Sequence, residues 1–406
     1  MTTLLQDKHI ILGITGSIAA YKAAELASKL SQAGAKVDVI LTRSAEKFIT
    51  PLTFQSVTGR KAFTEDDLWG SQAHVLHIRL GHSADLLVLA PCTANTLAKL
   101  AHGIADNLLT ITALATKCPI LVAPAMDAGM YSHPATQENV TTLASRGIHF
   151  AGPAEGHMAS GLVGLGRMIE PNELFGHTRK VLGIKGSLAG RQILITAGGT
   201  QESIDPVRVI SNRSSGKQGY ALAQAAIDAG ASVTLISTPT ALHPPIGSTL
   251  VPVQTAKEML NSVFANLPNK EALIMAAAVA DFRPQVISNK KIKKQDGLPS
   301  IQLESTIDIL NALNSNENSA LRPKIVVGFA AESQDLITNA NEKLKSKNLD
   351  LIAANDISAT DSGFGVDTNR VTLLFANRKS VELPLQSKSD IAEAIIKHLA
   401  SLLESH

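Results

Sequence analysis

The sequence predicts an α/β protein with two doubly wound parallel-sheet domains, and three observations carry that prediction. One order of local structure occurs twice, short apolar runs follow it in both halves, and polar residues gather where those runs end. Residues 9–41 read HIILGITGSIAAYKAAELASKLSQAGAKVDVIL. This is a strand, a turn from Gly13 to Gly16, a helix from about Ile18 to Gln32, the tripeptide Ala33-Gly34-Ala35 and a returning strand. Residues 193–237 repeat the pattern, with a strand at Ile193 to Ile195, glycines Gly198 and Gly199, a helix ending at Ala229-Gly230-Ala231 and a strand at Val233 to Ile236. Strand, glycine turn, helix and strand in that order form the Rossmann-like βαβ unit of nucleotide-binding sheets.

The later runs read as buried parallel strands, because they are short, continuous and bounded by turn residues. They are Leu86 to Ala90 and Ile120 to Ala123 in the first half, then Leu273 to Val279, Ile325 to Phe329 and Leu349 to Ala353 in the second. Pro171 to Gly190, rich in glycine and mixed in charge, reads as the boundary. The expected domains are therefore residues 1–187 and 188–406.

At 406 residues, 45% hydrophobic and 18% charged, the chain can bury large cores. A net charge of +2, with one dense basic run from Lys290 to Lys294, argues against a nucleic-acid partner and for small, locally held anions. The longest strongly apolar run, Leu273 to Ala280, falls short of the roughly 20 residues that cross a bilayer, so no membrane partner is expected. The N-terminal HIILGIT, preceded by Asp7 and Lys8, is no signal-peptide pattern. Cys92 and Cys118 alone form neither a disulfide framework nor a CxxC metal site, and the expected compartment is the cytoplasm.

A glycine turn by itself asks only for a sharp bend. The polar residues after successive strands ask for more, because ligands bind at the carboxyl edge of such sheets. Ser17 follows the first strand and Thr42 and Ser44 the second, Thr93, Asn95 and Thr96 follow Leu86 to Ala90, and Met126 and Asp127 follow Leu121 to Ala123. They converge on one rim. In the second half a long insert between Gly199 and Tyr220 carries Arg208, Asn212, Arg213, Ser214, Ser215 and Lys217, which suits a phosphate-handling loop. A plain NAD(P) oxidoreductase fits less well. Neither half has GxGxxG, and Leu41-Thr42 and Ser237-Thr238 stand where a ribose-binding acid is expected.

The segments GITGSIAAYK (13–22), HIRLGHSADLLVLAPCTANTLAK (77–99), APAMD (123–127) and GLVGLGRM (161–168) resemble the homo-oligomeric flavin-containing cysteine decarboxylases. TAGGTQESIDPVRVISNRSSGKQG (196–219), AAAVADFRP (276–284), KKIKKQ (290–295), VVGFAAE (326–332) and KNLDLIAANDI (347–357) resemble phosphopantothenate–cysteine ligase. Together, in this order, they resemble the bifunctional coenzyme A biosynthesis flavoproteins over nearly the whole chain. That resemblance implies CTP-dependent joining of 4′-phosphopantothenate to L-cysteine through an acyl-cytidylate. FMN-dependent decarboxylation of 4′-phosphopantothenoylcysteine to 4′-phosphopantetheine follows. It also implies Mg²⁺, with ligands unassigned, and trimer and dimer contacts that build a dodecamer.

For the ligase half the resemblance places Gly198, Gly199 and Thr200 in the turn beneath the nucleotide and Asp281 and Phe329 in the cytidine pocket. Asn212 positions the acyl-cytidylate, Arg208 is tied to its conversion, and Lys291 reaches the phosphates. Lys343 and Lys347, spaced i and i+4, share a helix face that either points to the phosphates or is simply solvated. KKIKKQ, otherwise a solvated basic loop, follows ADFRP at the family spacing. For the flavin half the resemblance makes Gly16, Ser17, Thr42, Ser44, Thr93, Asn95, Thr96 and Met126 the cofactor cradle. His77 acts as a base or orienting group, on the flavin of a neighbouring chain.

Two positions depart from the family pattern. PAMN reads PAMD, so Asp127 replaces an amide near the substrate carboxylate. Two such charges about 4 Å apart repel by roughly 4 kcal/mol at an effective dielectric near 20, so Asp127 must be protonated, turned away or compensated. In the flap, Ala159-Ser160-Gly161 replaces the cysteine-bearing segment, and a serine hydroxyl is a far weaker acid than a thiol of pKa about 8.5. The alternative reading is an active ligase joined to an impaired or regulatory flavin half.

Overall fold

The computed structural model describes residues 3–69, 75–157, 161–293, 300–332, 335–356 and 365–405. The chain divides into two compact units, Met1–Gly183 and Ile184–His406.

In the first unit the elements run β1 (His9–Ile14), α1 (Ala20–Gln32), β2 (Lys36–Leu41), α2 (Pro51–Thr58), β3 (Ala62–Phe63), α3 (Leu76–Ser83), β4 (Leu86–Cys92), α4 (Ala94–His102), α5 (Leu108–Ala115), β5 (Ile120–Pro124), α6 (Ala128–Ser132), α7 (Pro134–Ser145), β6 (His149–Phe150), β7 (Ala154–His157), β8 (Val163–Arg167) and α8 (Pro171–Gly183). The sheet order is β3-β2-β1-β4-β5-β6, with every pairing parallel. The chain leaves β1 in one direction and returns at β4 in the other, which opens a crevice at their carboxyl ends. One face of the sheet packs Leu12, Val39 and Val88 on Leu26 and Leu30 of α1. The opposite face packs Ile11, Ile40 and Leu87 on Leu80, Leu97 and Leu109. Strands buried on both faces explain the continuous apolar runs.

In the second unit the elements are β9 (Gln192–Ala197), β10 (Gln201–Ser203), β11 (Val209–Ser211), α9 (Lys217–Asp228), β12 (Ser232–Ser237), β13 (Ser248–Pro252), α10 (Ala256–Asn266), β14 (Ala272–Met275), β15 (Phe282–Pro284), β16 (Leu303–Ser305), α11 (Ile309–Leu313), β17 (Ile325–Glu332), α12 (Leu336–Ser346), β18 (Leu351–Asp356), β19 (Thr368–Phe375), β20 (Ser380–Ser387) and α13 (Lys388–Glu404). Its sheet runs β13-β12-β9-β14-β17-β18-β19-β20. The first six strands repeat the order of the first sheet and are parallel. The hairpin β19-β20 extends the edge antiparallel.

Three expectations shift. The boundary segment is helical as far as Gly183, because Leu174 and Val181 belong to the first core. The apolar run Leu273 to Val279 is a strand only to Met275. Beyond it the backbone turns, and the Ala277 N–H donates to Thr196 Oγ1 in β9 and the Ala280 N–H to Thr200 Oγ1 at the start of the insert. The insert is itself built on the antiparallel hairpin β10-β11.

Candidate functional site

A cavity of about 1060 Å³ opens at the carboxyl edge of the first sheet. Its wall contains Gly16, Ser17, Thr42, Ser44, Thr93, Asn95, Thr96, Met126 and Asp127, so the rim read from the sequence is brought together in full. Threonines lock the crevice. Thr15 Oγ1 donates to the Pro91 carbonyl (2.7 Å) and accepts from the Thr93 N–H (3.1 Å), which joins the ends of β1 and β4. Thr93 then caps α4 by accepting from the Thr96 N–H. A Cβ on Gly16 would lie 2.5 Å from Ser44 Cβ, so the β1 turn and the β2 turn approach as only glycine permits. Hydroxyls and open helix N-terminal amides at such a crevice are the groups a flavin phosphate requires. Tyr21, Phe48, Trp69 and Met130 line the apolar side.

Asp127 is the N-cap of α6, and its Oδ1 accepts from the Gly129 N–H at 2.9 Å. An asparagine would accept in the same way. The PAMD departure therefore keeps the local cap and compensates part of the charge. His77 lies half-buried on α3 and is not in this cavity wall. Its Nδ1 is buried without a hydrogen-bond partner among the described residues. Ser160 lies outside the described residues.

Three cations of this cavity are engaged by carboxylates. Lys22, 5% exposed, donates to Glu170 (2.9 Å) and to the Met168 carbonyl. Arg167 also meets Glu170, and Lys99 meets Asp106. Lys22 and Arg167 sat unrecognised inside quoted motifs. A lysine in a helical run gives no sign that it turns inward.

A second cavity, of about 670 Å³, lies at the carboxyl edge of the second sheet. It gathers Asn212, Asp281, Phe329, Lys343 and Lys347. Asn212 Nδ2 donates to the carbonyls of Ala278 (3.3 Å) and Val279 (3.2 Å), tying the insert to the loop after β14. The expected single helix face for Lys343 and Lys347 is modified: α12 ends at Ser346, Lys347 is its C-cap, and its ammonium pairs with Asp308.

Gly198, Gly199 and Thr200 are not in the wall. They support it from behind: Thr200 is fully buried, its N–H donates to the Ala278 carbonyl, and a Cβ on Gly199 would lie 2.8 Å from the Asn212 carbonyl oxygen. Arg208 and Lys291 also lie outside the wall but beside each other. The buried Asp205 accepts from Arg208 Nη1 (2.7 Å) and from the Ile292 N–H (3.2 Å), and Arg208 Nη1 donates to the Ile292 carbonyl (3.1 Å). Burial pushes the Asp205 carboxyl up, but the N–H groups of Val207, Ile292 and Arg208 and the Arg208 guanidinium hold it below the usual carboxylate range. Asp205 thus fixes the basic loop to the insert.

Sequence reasoning missed Gln218, Asn355, Asn369 and Lys388 on this wall. Asn355 sits within the quoted KNLDLIAANDI, whereas Lys388 opens the last helix with no motif around it. Among the described residues no group of three or more His, Cys, Asp or Glu side chains is placed to hold a metal ion. The carboxylates of the second wall are Asp281 and Asp308, and a Mg²⁺ bound mainly through substrate phosphates needs only one or two.

Residues 1–183 match the family model described as Flavoprotein. Residues 188–403 match the model described as DNA/pantothenate metabolism flavoprotein C-terminal domain. The coenzyme A biosynthesis bifunctional protein CoaBC of Bacillus subtilis (strain 168) is 44% identical over 402 residues, covering 98% of this chain and 98% of the relative. CoaBC of Vibrio cholerae serotype O1 (strain ATCC 39315 / El Tor Inaba N16961) is 46% identical over 397 residues, covering 97% of this chain and 98% of the relative. A crystal structure of the C-terminal domain of a CoaBC covers 54% of this chain and 100% of its own, at 39% identity and a TM-score of 0.47. The alternative of a regulatory flavin half finds no support in these relatives. Two family models in tandem and near-complete coverage by bifunctional relatives place this chain in the family of coenzyme A biosynthesis bifunctional proteins CoaBC.

Proposed function

We propose a division of labour between the two cavities for the two steps of coenzyme A biosynthesis that this bifunctional enzyme performs. Residues 188–406 act as the phosphopantothenate–cysteine ligase and residues 1–187 as the phosphopantothenoylcysteine decarboxylase. In the ligase step a carboxylate oxygen of 4′-phosphopantothenate attacks the α-phosphorus of CTP and pyrophosphate leaves. The amine of L-cysteine then attacks the acyl-cytidylate and CMP leaves. Little covalent chemistry falls to the protein, whose work is positioning and charge neutralisation.

Asp281 and Phe329 hold the cytidine, Asn212 the acyl-cytidylate, and Lys343 and Lys347 the phosphates together with Mg²⁺. Arg208 and Lys291 act from the loop that Asp205 anchors, and Gly198, Gly199 and Thr200 keep the insert seated. The observation that carries this assignment is the pair of hydrogen bonds from Asn212 to Ala278 and Val279, which seats the insert over a lysine-lined cavity.

In the decarboxylase step bound FMN supplies the electron sink that a cysteine carboxylate lacks. Gly16, Ser17, Thr42, Ser44, Thr93, Asn95, Thr96 and Met126 hold it, and Asp127 lies beside the substrate carboxylate with its charge partly taken up by the cap. His77, outside its own cavity wall, serves a neighbouring chain in a homo-oligomer, the dodecamer of the resemblance. Ser160 orients water or substrate. The compartment that goes with this reading is the cytoplasm. No described helix is long and apolar enough to cross a membrane.

Supplied with 4′-phosphopantothenate, L-cysteine, Mg²⁺ and CTP, the protein releases pyrophosphate. Equal rates with ATP contradict the choice of CTP. Supplied with 4′-phosphopantothenoylcysteine alone, it releases CO₂ and 4′-phosphopantetheine. CO₂ without that product implicates Ser160.

A further inference from the structure

We propose that His157 is a further catalytic residue of the decarboxylase step, the acid that gives a proton to the carbon from which CO₂ departs. The inference rests on the decarboxylase reading of the first cavity. Conversion of 4′-phosphopantothenoylcysteine to 4′-phosphopantetheine breaks the bond between that carbon and the carboxylate. CO₂ leaves without the bonding pair, and a C–H bond forms in its place. The electrons lent to bound FMN return to the substrate, so the sequence is redox-neutral and consumes one proton. A positioned acid speeds such a transfer by about 10²–10⁴-fold.

The cavity wall restricts where that proton can come from. Among the described residues it contains one imidazole, His157, and no thiol, since neither Cys92 nor Cys118 belongs to it. The wall lysines Lys22 and Lys99 are held by Glu170 and Asp106. Asp127 and Glu65 accept backbone N–H groups, of Gly129 at 2.9 Å and of Leu108 at 3.2 Å, as carboxylates do. Unperturbed lysine and tyrosine side chains keep their protons until about pH 10, whereas an unperturbed imidazole exchanges its proton at about 6.5. An imidazole is therefore the fitting acid on this wall.

The fold carries His157 to this place on an anchored hairpin. His157 ends β7 opposite Val163 of β8, a pairing made by backbone alone. The root of β8 is fixed. The Gly166 carbonyl accepts from the Met126 N–H at 3.0 Å, and a Cβ on Gly166 would lie 2.3 Å from the Met126 carbonyl oxygen. Just beyond, Lys22 Nζ donates to the Met168 carbonyl at 3.0 Å and to Glu170 at 2.9 Å, and Glu170 also meets Arg167. The hairpin thus packs on the loop of Met126 and Asp127, beside which the proposed function sets the departing carboxylate. His157 is exposed at the rim, so water restores its proton between turnovers.

The test follows a single anaerobic turnover of 4′-phosphopantothenoylcysteine by the full-length holoenzyme, wild type against His157→Gln. CO₂, 4′-phosphopantetheine and the flavin absorbance are measured in parallel, and FMN content and melting temperature of each purified protein serve as readouts independent of turnover. For His157→Gln the expected result is CO₂ at the wild-type rate and 4′-phosphopantetheine about a hundredfold slower. The decarboxylated thiol then accumulates two hydrogens short of the product and the flavin absorbance stays bleached, while FMN content and melting temperature match wild type. His157→Asn replaces Gln if that variant does not fold. Product at the wild-type rate overturns the proposal, as does an equal fall in CO₂ and product, which would mark a structural role. Uncoupling in His77→Gln with none in His157→Gln also overturns it, by giving the proton to the neighbouring chain's histidine. A wild-type chain that releases no CO₂ overturns the decarboxylase reading itself.

Discussion

The two halves place their strands in the same order around the same crevice, and they furnish it in opposite ways. The first cavity is lined by hydroxyls, with Lys22, Lys99 and Arg167 engaged by Glu170 and Asp106. The second is lined by backbone from Ala276 to Val279 and by Lys217, Lys343, Lys347 and Lys388. Under the proposed division of labour, one holds a cofactor whose own chemistry does the work, and the other manages the charge of a triphosphate. The strand order supplies the position of the site, and the loops supply its chemistry.

The sharpest way to break the comparison is to close one crevice and leave the other. Gly16→Ala drives a methyl into Ser44, an overlap worth about 1–3 kcal/mol locally. The purified variant should lose its yellow flavin absorbance and CO₂ release should fall by more than about a hundredfold, as a positioning defect at the reacting centre allows. Pyrophosphate release should be untouched. Loss of both activities would mean that the halves are not separable.

A second substitution tests whether the basic loop works because it is held. Asp205→Asn weakens the anchor of Arg208 and Ile292, so ligation should slow by about tenfold through displaced groups. CO₂ release from supplied 4′-phosphopantothenoylcysteine should not change. An unaltered ligation rate would make the Asp205 anchor incidental.

Asp127→Asn isolates the family departure. The cap survives because either side chain accepts from the Gly129 N–H. The melting temperature should stay within about a degree, while kcat/KM for decarboxylation rises several-fold as repulsion of the substrate carboxylate is relieved. A fall in rate would show that the carboxylate has a task of its own.

The smallest effect concerns stability. Both nitrogens of His9 face acceptors, the Ser83 carbonyl at 3.0 Å and Asp38 Oδ2 at 2.6 Å, so only the imidazolium satisfies both. The hydrogen bond to Asp38 chiefly raises the His9 pKa, against burial and the nearby Arg60. With the folded value raised, this contribution is complete below the unfolded pKa of about 6.5 and is lost as the pH rises through the folded value. Asp38 has the opposite sign. Burial raises its pKa, but His9 and Arg60 lower it further, so its contribution is present above about 3.9 and lost in acid. His9→Gln should therefore cost about 1 kcal/mol at pH 6 and less at pH 9 in denaturant unfolding of the full chain. An equal cost at both pH values would contradict a charged His9.

Most of the fold was legible because buried parallel strands leave continuous apolar runs and each β-to-α turn needs small residues. The hydroxyl rim of the first cavity was legible for the same reason, since strand ends fall at predictable places. The second site was less so. The motif puts Gly198, Gly199 and Thr200 beneath the nucleotide, and in the structure they sit behind the wall of the second cavity. A glycine marks close approach without saying of what. Lys388 was invisible because its place depends on a clamp between two helices 170 residues apart. Helix α8 resembles a boundary in the sequence because its glycines obscure the apolar spacing of Leu174 and Val181.

The central claim, two chemistries in two separate crevices, is tested most directly by Lys291→Ala in the full-length chain. Pyrophosphate release from CTP, 4′-phosphopantothenate and L-cysteine and CO₂ release from supplied 4′-phosphopantothenoylcysteine would be followed in parallel. The account predicts that ligation falls by about a hundredfold or more, as for loss of one charge-stabilising donor, while CO₂ release stays at the wild-type rate. A parallel fall in CO₂ release, or undiminished ligation, would contradict it.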